Sequence, residues 1–366
     1  MSQRIHSVDA VRAVALFGIL MTHAHNRFNL YVAEHVSSST DGIYDWLNDN
    51  IFVCKSFMVF AFLFGLSFFL QMDRAEAKGL DFRGRFCWRL VLLLGFGILH
   101  SFFYQGDILT IFAVMGFLPV LLWRLSTRSL AVLCAVCLLQ PVVLYTELIG
   151  QPEMLKNLGE TMRLGLGVEW LAPAKQNSLW EMGVWNVTHG IALSWLYLIS
   201  SSRIFILVGM FILGMLAGRF RVFDTAPQRL YRISAVGACV YVVSLAGQKI
   251  LPAWMLWWEH VGFVLMLVPL AARLFACSAC GWLTRPLTAI GRCTLTCYIT
   301  QNIIMVAVLC GYGFGMNPSL STTALMNWAV VLYMAQLIFS IIWLQFNRYG
   351  PFEYVWRRLT RIGLKS

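Results

Sequence analysis

Ten stretches of roughly 17 to 23 mostly apolar residues recur along the chain, and this recurrence limits what it can fold into. A helix of about 20 apolar residues crosses the hydrocarbon core of a bilayer and satisfies its own backbone hydrogen bonds. The stretches are 8–26, 51–72, 87–104, 108–124, 129–148, 203–219, 231–250, 253–274, 289–311 and 324–346. The expected fold is an all-α polytopic membrane protein with about ten transmembrane helices, partnered by a lipid bilayer. A β-barrel is excluded, because barrel strands alternate polar and apolar residues over about ten positions. Only 12% of the residues are charged, about half the share in a soluble domain.

An even number of spans puts both termini on one side. That side then carries 21 of the 28 basic residues, the other seven being Arg27, Lys55, Lys156, Arg163, Lys175, Arg203 and Lys249. Lys and Arg collect in cytoplasmic loops, so both termini are expected in the cytoplasm. The net charge of +11 reads as membrane topology, and no nucleic-acid partner is expected. The first stretch contains Asp9 and Arg12 and no A-x-A site follows, so it is expected to be a retained span. The chain reads as one transmembrane domain, 1–366. An outer loop at 27–50 holds His35, Asp41, Asp45 and Asp49, and a longer outer segment at 149–202 holds interfacial helices with Trp170, Trp180, Trp185 and Trp195. Residues 176–200 alternatively dip into the membrane. The tail, 347–366, reads as a cytoplasmic amphipathic helix after Gly350-Pro351, with Glu353 spaced to pair locally with Arg357. Cys134/Cys137 and Cys277/Cys280 have C-x-x-C spacing without an accompanying His cluster, so no metal is expected. No internal repeat is evident, which weakens an inverted-repeat transporter reading.

Ionisable residues inside apolar spans are costly and mark candidate sites. Arg12 and His23 are eleven positions apart on the first span, which puts them on one face about 16 Å apart. Asp9 shares that face. Arg83, Arg85 and Arg89 open the third span and would join Arg12 at one mouth, where guanidinium suits phosphate. The same arginines also satisfy ordinary positive-inside charge. Toward the other leaflet lie His23, Lys55, His100, Asp107 and Arg203. His23 and His100 are candidate bases, and Asp107 is placed to orient a histidine. These groups equally suit a buried polar network that locks helices together. In the ninth span Gln301 and Asn302 need partners that hydrocarbon does not offer.

The chain resembles the bacterial DUF418/YeiB-like membrane protein family over nearly its full length. The pieces that carry the resemblance are RIHSVDAVRAVALFGIL, FAFLFGLSFFLQ, RGRFCWRLVLLLGFGILHSFFYQGDILTIFAVMGFL, GRCTLTCYITQNI and RYGPFEYVWRRLTRI. That family looks related to the transmembrane acyltransferases, which include heparan-glucosaminide N-acetyltransferase and the acyltransferase-3 enzymes. The resemblance implies transfer of an acyl group, acetyl first among candidates, from cytoplasmic acyl-CoA to an acceptor across a bacterial inner membrane. In acyltransferase-3 proteins an Arg and a His separated by ten residues on the first span carry function, and Arg12 and His23 match that spacing. The DUF418 pattern more often has Asn where His23 stands, which keeps His35 and His100 as rival bases.

The expected mechanism places acyl-CoA phosphates on Arg12, Arg83, Arg85 and Arg89 and the thioester near His23. His23 would act as general base or be transiently acylated. Lys55, Gln301 or Asn302 would stabilise the oxyanion. His35 and Arg203 would help hold the acceptor, a small molecule or a glycan bearing a hydroxyl or amine. A homodimer is compatible with the sequence. The alternative is a small-molecule transporter or exporter without covalent chemistry, and a third reading is a sensor or scaffold.

Overall fold

The computed structural model describes residues 6–26, 28, 34–168, 178–224, 227–310 and 319–362, and Trp170 lies outside them. The helices in chain order are α1 (His6–Asn26), α2 (Asp41–Leu47), α3 (Lys55–Glu76), α4 (Arg83–Phe103), α5 (Leu109–Met115), α6 (Phe117–Leu122), α7 (Thr127–Leu138), α8 (Pro141–Leu148) and α9 (Met154–Gly165). They continue with α10 (Leu179–Trp185), α11 (Ile191–Ser200), α12 (Arg203–Arg219), α13 (Pro227–Gly247), α14 (Pro252–Ala276), α15 (Gly281–Arg292), α16 (Thr294–Leu309), α17 (Thr322–Phe346) and α18 (Pro351–Arg361). Two short strands, β1 (Glu34–His35) and β2 (Ser319–Leu320), pair in parallel. The protein is therefore a polytopic helical membrane protein.

Every apolar stretch of the sequence coincides with helix, but not every one is a single straight span. Among the described residues, seven helical segments are long and apolar enough to cross a membrane, and nine if two bent pairs each count as one. Leu109–Leu122 is shorter. One bent pair is Leu179–Ser200 with Arg203–Arg219, turned by 81°. The other is Ser278–Arg292 with Thr294–Leu309, turned by 77°. The stretch 289–311 looked continuous because apolarity does not register a bend. Chain direction changes at Cys293, between α15 and α16.

Glu353 explains why that bend holds. The N–H groups of Leu295 and Thr296 donate to Glu353 Oε1 (2.6 and 3.2 Å), and the Thr296 hydroxyl donates to Oε2 (2.6 Å). A carboxylate so placed satisfies the first free amides of α16 and faces the positive end of its dipole. The local i,i+4 pair with Arg357 is thus corrected: among the described ion pairs none joins these two residues, and Glu353 turns to α16 instead. The amide donors are buried and the solvent-side charge is not, so the carboxylate goes where unmet polar groups are. Trp356 Nε1 donates to Arg89 O (3.0 Å) and Trp88 Nε1 to Leu359 O (3.1 Å), which lays α18 across the start of α4.

α1 is buried around most of its circumference and packs against α3, α14, α15, α16 and α17. This is how an all-round apolar helix is accommodated, at the centre of a bundle. α3 and α12 approach through glycine: a Cβ on Gly65 would sit 2.0 Å from Phe211 O, and one on Gly214 2.1 Å from Phe62 O. Small residues let helix backbones touch where lipid supplies no hydrophobic drive. The C-x-x-C pairs fall on α7 and at the end of α14, apart from any His cluster among the described residues.

Burial pushes the Glu353 carboxyl above its ordinary 4.5, against the pull of its hydrogen bonds from Thr296 and Leu295. The native state therefore holds this proton more tightly than the unfolded chain. Its contribution to stability is full below about pH 4.5 and is lost as pH rises through the raised value. Between pH 4.5 and 7 the unfolding midpoint of the wild type in detergent should fall relative to that of Glu353→Gln. Glu353→Ala should lose about 1–3 kcal/mol near pH 4.5, because buried amides are left unmet, and that loss should shrink as pH rises.

Candidate active site

A cavity of about 430 Å³ opens among α1, α3, α4, α5, α16 and α18. Arg12, Arg74, Arg89, Arg292 and Arg357 line it, with Asp9 and Glu353. Deeper lining comes from Ile19, Phe60, Leu93, Ile108 and Tyr298. From Arg74 to Phe60 the α3 lining spans fourteen positions, about 21 Å of helix. One end is therefore cationic and the other apolar, closed by a single phenol.

Arg12 is held at the cationic end by three elements. Its Nη1 donates to Asp9 Oδ1 (2.7 Å) and to Gly291 O (3.4 Å), and its Nη2 donates to Ser67 Oγ (2.9 Å). The side chain keeps 20% of its surface exposed. A planar guanidinium can answer partners on α1, α3 and α15 at once, which an ammonium cannot do in the same plane. Arg89 stacks on Trp356, 4.4 Å from the ring centroid. Arg292 Nη2 donates to Arg348 O (2.7 Å).

Of the arginines expected at this mouth, Arg12 and Arg89 line it and Arg83 and Arg85 do not. Arg83 is drawn to Asp81 (2.7 Å) at the surface, where it pulls the Asp81 carboxyl down to about 2. Arg85 lies over the Phe82 ring, 6.0 Å from its centroid. In a helix that starts at Arg83, position 83 points about 120° away from 89, whereas 85 shares the face of 89 but lies one turn nearer the helix start, where its side chain covers Phe82. Arg74, Arg292 and Arg357 take their places. In the sequence these three were indistinguishable from other positive-inside charge.

One helical turn beyond the cavity floor lies a buried chain of polar groups. His23 Nδ1 meets Asn302 Oδ1 (3.1 Å), Asn302 Nδ2 meets His100 Nε2 (3.2 Å), and His100 Nδ1 meets Asp107 Oδ1 (2.8 Å). The amide orientation of Asn302 fixes one consistent set of tautomers. His23 donates from Nδ1 to the Asn302 carbonyl oxygen, Asn302 donates to His100 Nε2, and His100 donates from Nδ1 to Asp107. The lone pair of His23 is then on Nε2. Asp107 is itself positioned, since Thr110 N–H donates to its Oδ2 (2.8 Å). Gly97 permits this: a Cβ there would lie 2.7 Å from Thr110 N and 3.2 Å from Asp107 Oδ2.

Tyr298 links the two regions. It lines the cavity, and its ring lies 6.1 Å from that of His23 and 5.1 Å from that of His100. Ile108 N–H donates to its hydroxyl (3.2 Å). Tyr104 packs against the same two imidazoles at 5.1 and 5.7 Å. Tyr298 falls in the polar run of the ninth stretch, whose side chains could line a cavity, whereas Tyr104 carried no signal in the sequence. Gln301 is fully buried, and both its amide atoms lack a partner among the described residues.

Lys55 and Arg203 belong to a different group. Lys55 Nζ pairs with Glu259 Oε1 (3.2 Å) and donates to Asp49 O (3.1 Å), while Gln248 Nε2 donates to Glu259 Oε2 (2.7 Å). Arg203 lies over the Tyr197 ring at 4.6 Å. Similar depth in the chain did not bring these residues to His23, because a buried ammonium goes to the nearest carboxylate. His35 sits in β1, exposed, away from both groups.

Two parts of the chain match known protein families. Residues 4–163 match the family described as heparan-alpha-glucosaminide N-acetyltransferase, catalytic, and residues 217–363 match the protein of unknown function DUF418. Asp9, Arg12, His23, His100 and Asp107 come from the first match, and Tyr298, Asn302 and Glu353 from the second. An uncharacterized 39.9 kDa protein in the amylase 3′ region of Bacillus acidopullulyticus is 26% identical over 365 residues, covering 98% of this chain and 94% of that one. Uncharacterized protein YxaH of Bacillus subtilis (strain 168) is 24% identical over 395 residues, with 99% and 95% covered. Uncharacterized protein YeiB of Escherichia coli (strain K12) is 25% identical over 410 residues, with 98% and 96% covered.

Replacing Asp107 by Ala strands the His100 Nδ1–H and the Thr110 N–H in a buried place. Each unmet donor should cost about 1–3 kcal/mol. Tyr298→Phe keeps the ring and loses one hydroxyl, so its cost should stay near 1 kcal/mol. Chemical or thermal unfolding in detergent compares the two, and an equal loss would show that the Asp107–His100 pair is not the anchor described.

Proposed function

We propose that this DUF418/YeiB-like chain, whose first part is similar to the catalytic part of heparan-alpha-glucosaminide N-acetyltransferase, is an acyl-CoA-dependent membrane acyltransferase. The observation that carries the proposal is a cavity with arginines at one end and Tyr298, packed against both histidine rings, at the other. An acyl-CoA has the same polarity: a polyanionic head, an extended arm and a reactive thioester at its tip.

The head phosphates bind Arg12, Arg74, Arg89, Arg292 and Arg357 at the cytoplasmic mouth. The arm runs between α1 and α3. With the thioester beyond Tyr298, His23 Nε2 takes the proton from an acceptor hydroxyl or amine as that oxygen or nitrogen bonds to the thioester carbon. The carbonyl electrons move onto oxygen. As the carbonyl re-forms, the C–S bond breaks, and the CoA thiolate takes the proton from His23. His100 and Asp107 do not touch the acceptor in this scheme. Both nitrogens of His100 are engaged, so it positions His23 through Asn302.

The oxyanion needs a donor not committed elsewhere. Lys55 is spoken for by Glu259, and Asn302 holds a histidine at each end of its amide. Gln301, buried with its NH₂ unmet, fits the role. The proton acceptor lies one helical turn beyond the floor of the cavity whose other end is the guanidinium mouth. The acceptor therefore reaches the site from the side opposite CoA, across a bacterial cytoplasmic membrane with both termini inside.

The test uses purified full-length protein in detergent with acetyl-CoA, following CoA binding by titration and free-thiol release. Arg12→Lys exchanges a planar guanidinium for a point charge and should weaken CoA binding about tenfold or more. His23→Ala should leave binding intact and abolish thiol release. Absence of CoA binding in the wild type, with substrate counterflow in liposomes instead, would replace this reading by transport.

A further inference from the structure

The cavity has two unlike walls. α1 and α16 present Asp9, Arg12, Thr294 and Tyr298 beside Val8, Ile19 and Leu295, whereas beyond Ser67 the lining of α3 and α5 includes Phe60, Phe64 and Phe112. The Phe112 ring stands edge-on to Phe60 (5.7 Å) and to Phe64 (5.6 Å), so the three form one continuous aromatic face. Along α3 the last polar lining residue is Ser67. From there to Phe60 the lining is apolar over seven positions, about 10 Å. Leu93 on α4 continues the same face.

A two-carbon acyl group would meet only a small part of this face. Apolar surface left facing water is unfavourable in proportion to its area. The amide groups of an extended pantetheine arm find polar lining at Ser67, Gln71 and Thr294, not on the phenylalanines. The feature that matches the aromatic face is an alkyl chain attached at the thioester and folded back toward α3. Resting on the acyl-CoA reading above, we infer that the preferred donor carries a medium-length acyl chain, seated on Phe60, Phe64 and Phe112, and not acetyl.

Affinities of CoA, acetyl-CoA, butyryl-CoA, hexanoyl-CoA and octanoyl-CoA for the full chain in detergent test this. Expressing each affinity relative to free CoA cancels the contribution of the head. That ratio should rise about fourfold per methylene, the factor corresponding to burial of one CH₂ at about 0.8 kcal/mol. Phe60→Trp fills part of the pouch and should flatten the rise, while its free-CoA affinity reports that the mouth still folds. A ratio that is constant from acetyl to octanoyl overturns the inference and leaves the acyltransferase reading standing. A rise unchanged in Phe60→Trp also overturns it, because the chain then lies elsewhere or in detergent. No binding of CoA in any form overturns both.

Discussion

Inside a bilayer a polar side chain is tolerated where another polar group answers it. The chain Asp107–His100–Asn302–His23 applies that rule to several segments at once. It joins α1, α4, α16 and the turn leading to α5 through three side-chain hydrogen bonds. None of the four can be met by its own helix alone. Docking α16 between α1 and α4 is therefore a condition for burying them, and the same docking places His23 next to Tyr298 and the cavity floor. Buried polar networks of this kind are costly if incomplete and specific if complete.

The second constraint is at the opposite end of α1. Asp9 and Ser67 fix the plane of the Arg12 guanidinium, and Gly291 carbonyl closes its third side. The C-terminal helix completes this end. Glu353 holds the start of α16, and Trp356 stacks beneath Arg89. Because α16 also carries Tyr298 and Asn302, one carboxylate near the C terminus sets the position of residues deep in the bundle. Mouth and floor are thus coupled through a single helix, which is why the bend at Cys293 matters to the site.

Much of this was legible in the amino-acid pattern. Apolar runs marked where helices lie, and the rarity of charge inside them singled out Asp9, Arg12, His23, Lys55 and His100, with Asp107 in the turn after the third run, as residues with partners to find. The resemblance to DUF418/YeiB-like proteins was likewise readable from five short segments, and the family matches bear it out. Less legible was how the polar residues divide. Lys55 has the right depth for the histidine network but is claimed by Glu259, which lies 204 positions later. Arg83 and Arg85 have the right charge for the mouth but do not line it.

The sequence by itself determined the solvent, the helical class and the short set of residues too costly to bury alone, because these follow from hydropathy and from side-chain chemistry at each position. Tertiary structure decided which of those residues meet. It paired Asn302 with two histidines, set Tyr298 between them and the cavity, turned Glu353 to α16, and selected Arg74, Arg292 and Arg357 over Arg83 and Arg85. The physical reason is that helix rotation and packing order are set by long-range contacts between apolar faces. Such faces look alike in sequence, and a change of a third of a turn sends the same arginine to lipid headgroups or into the cavity.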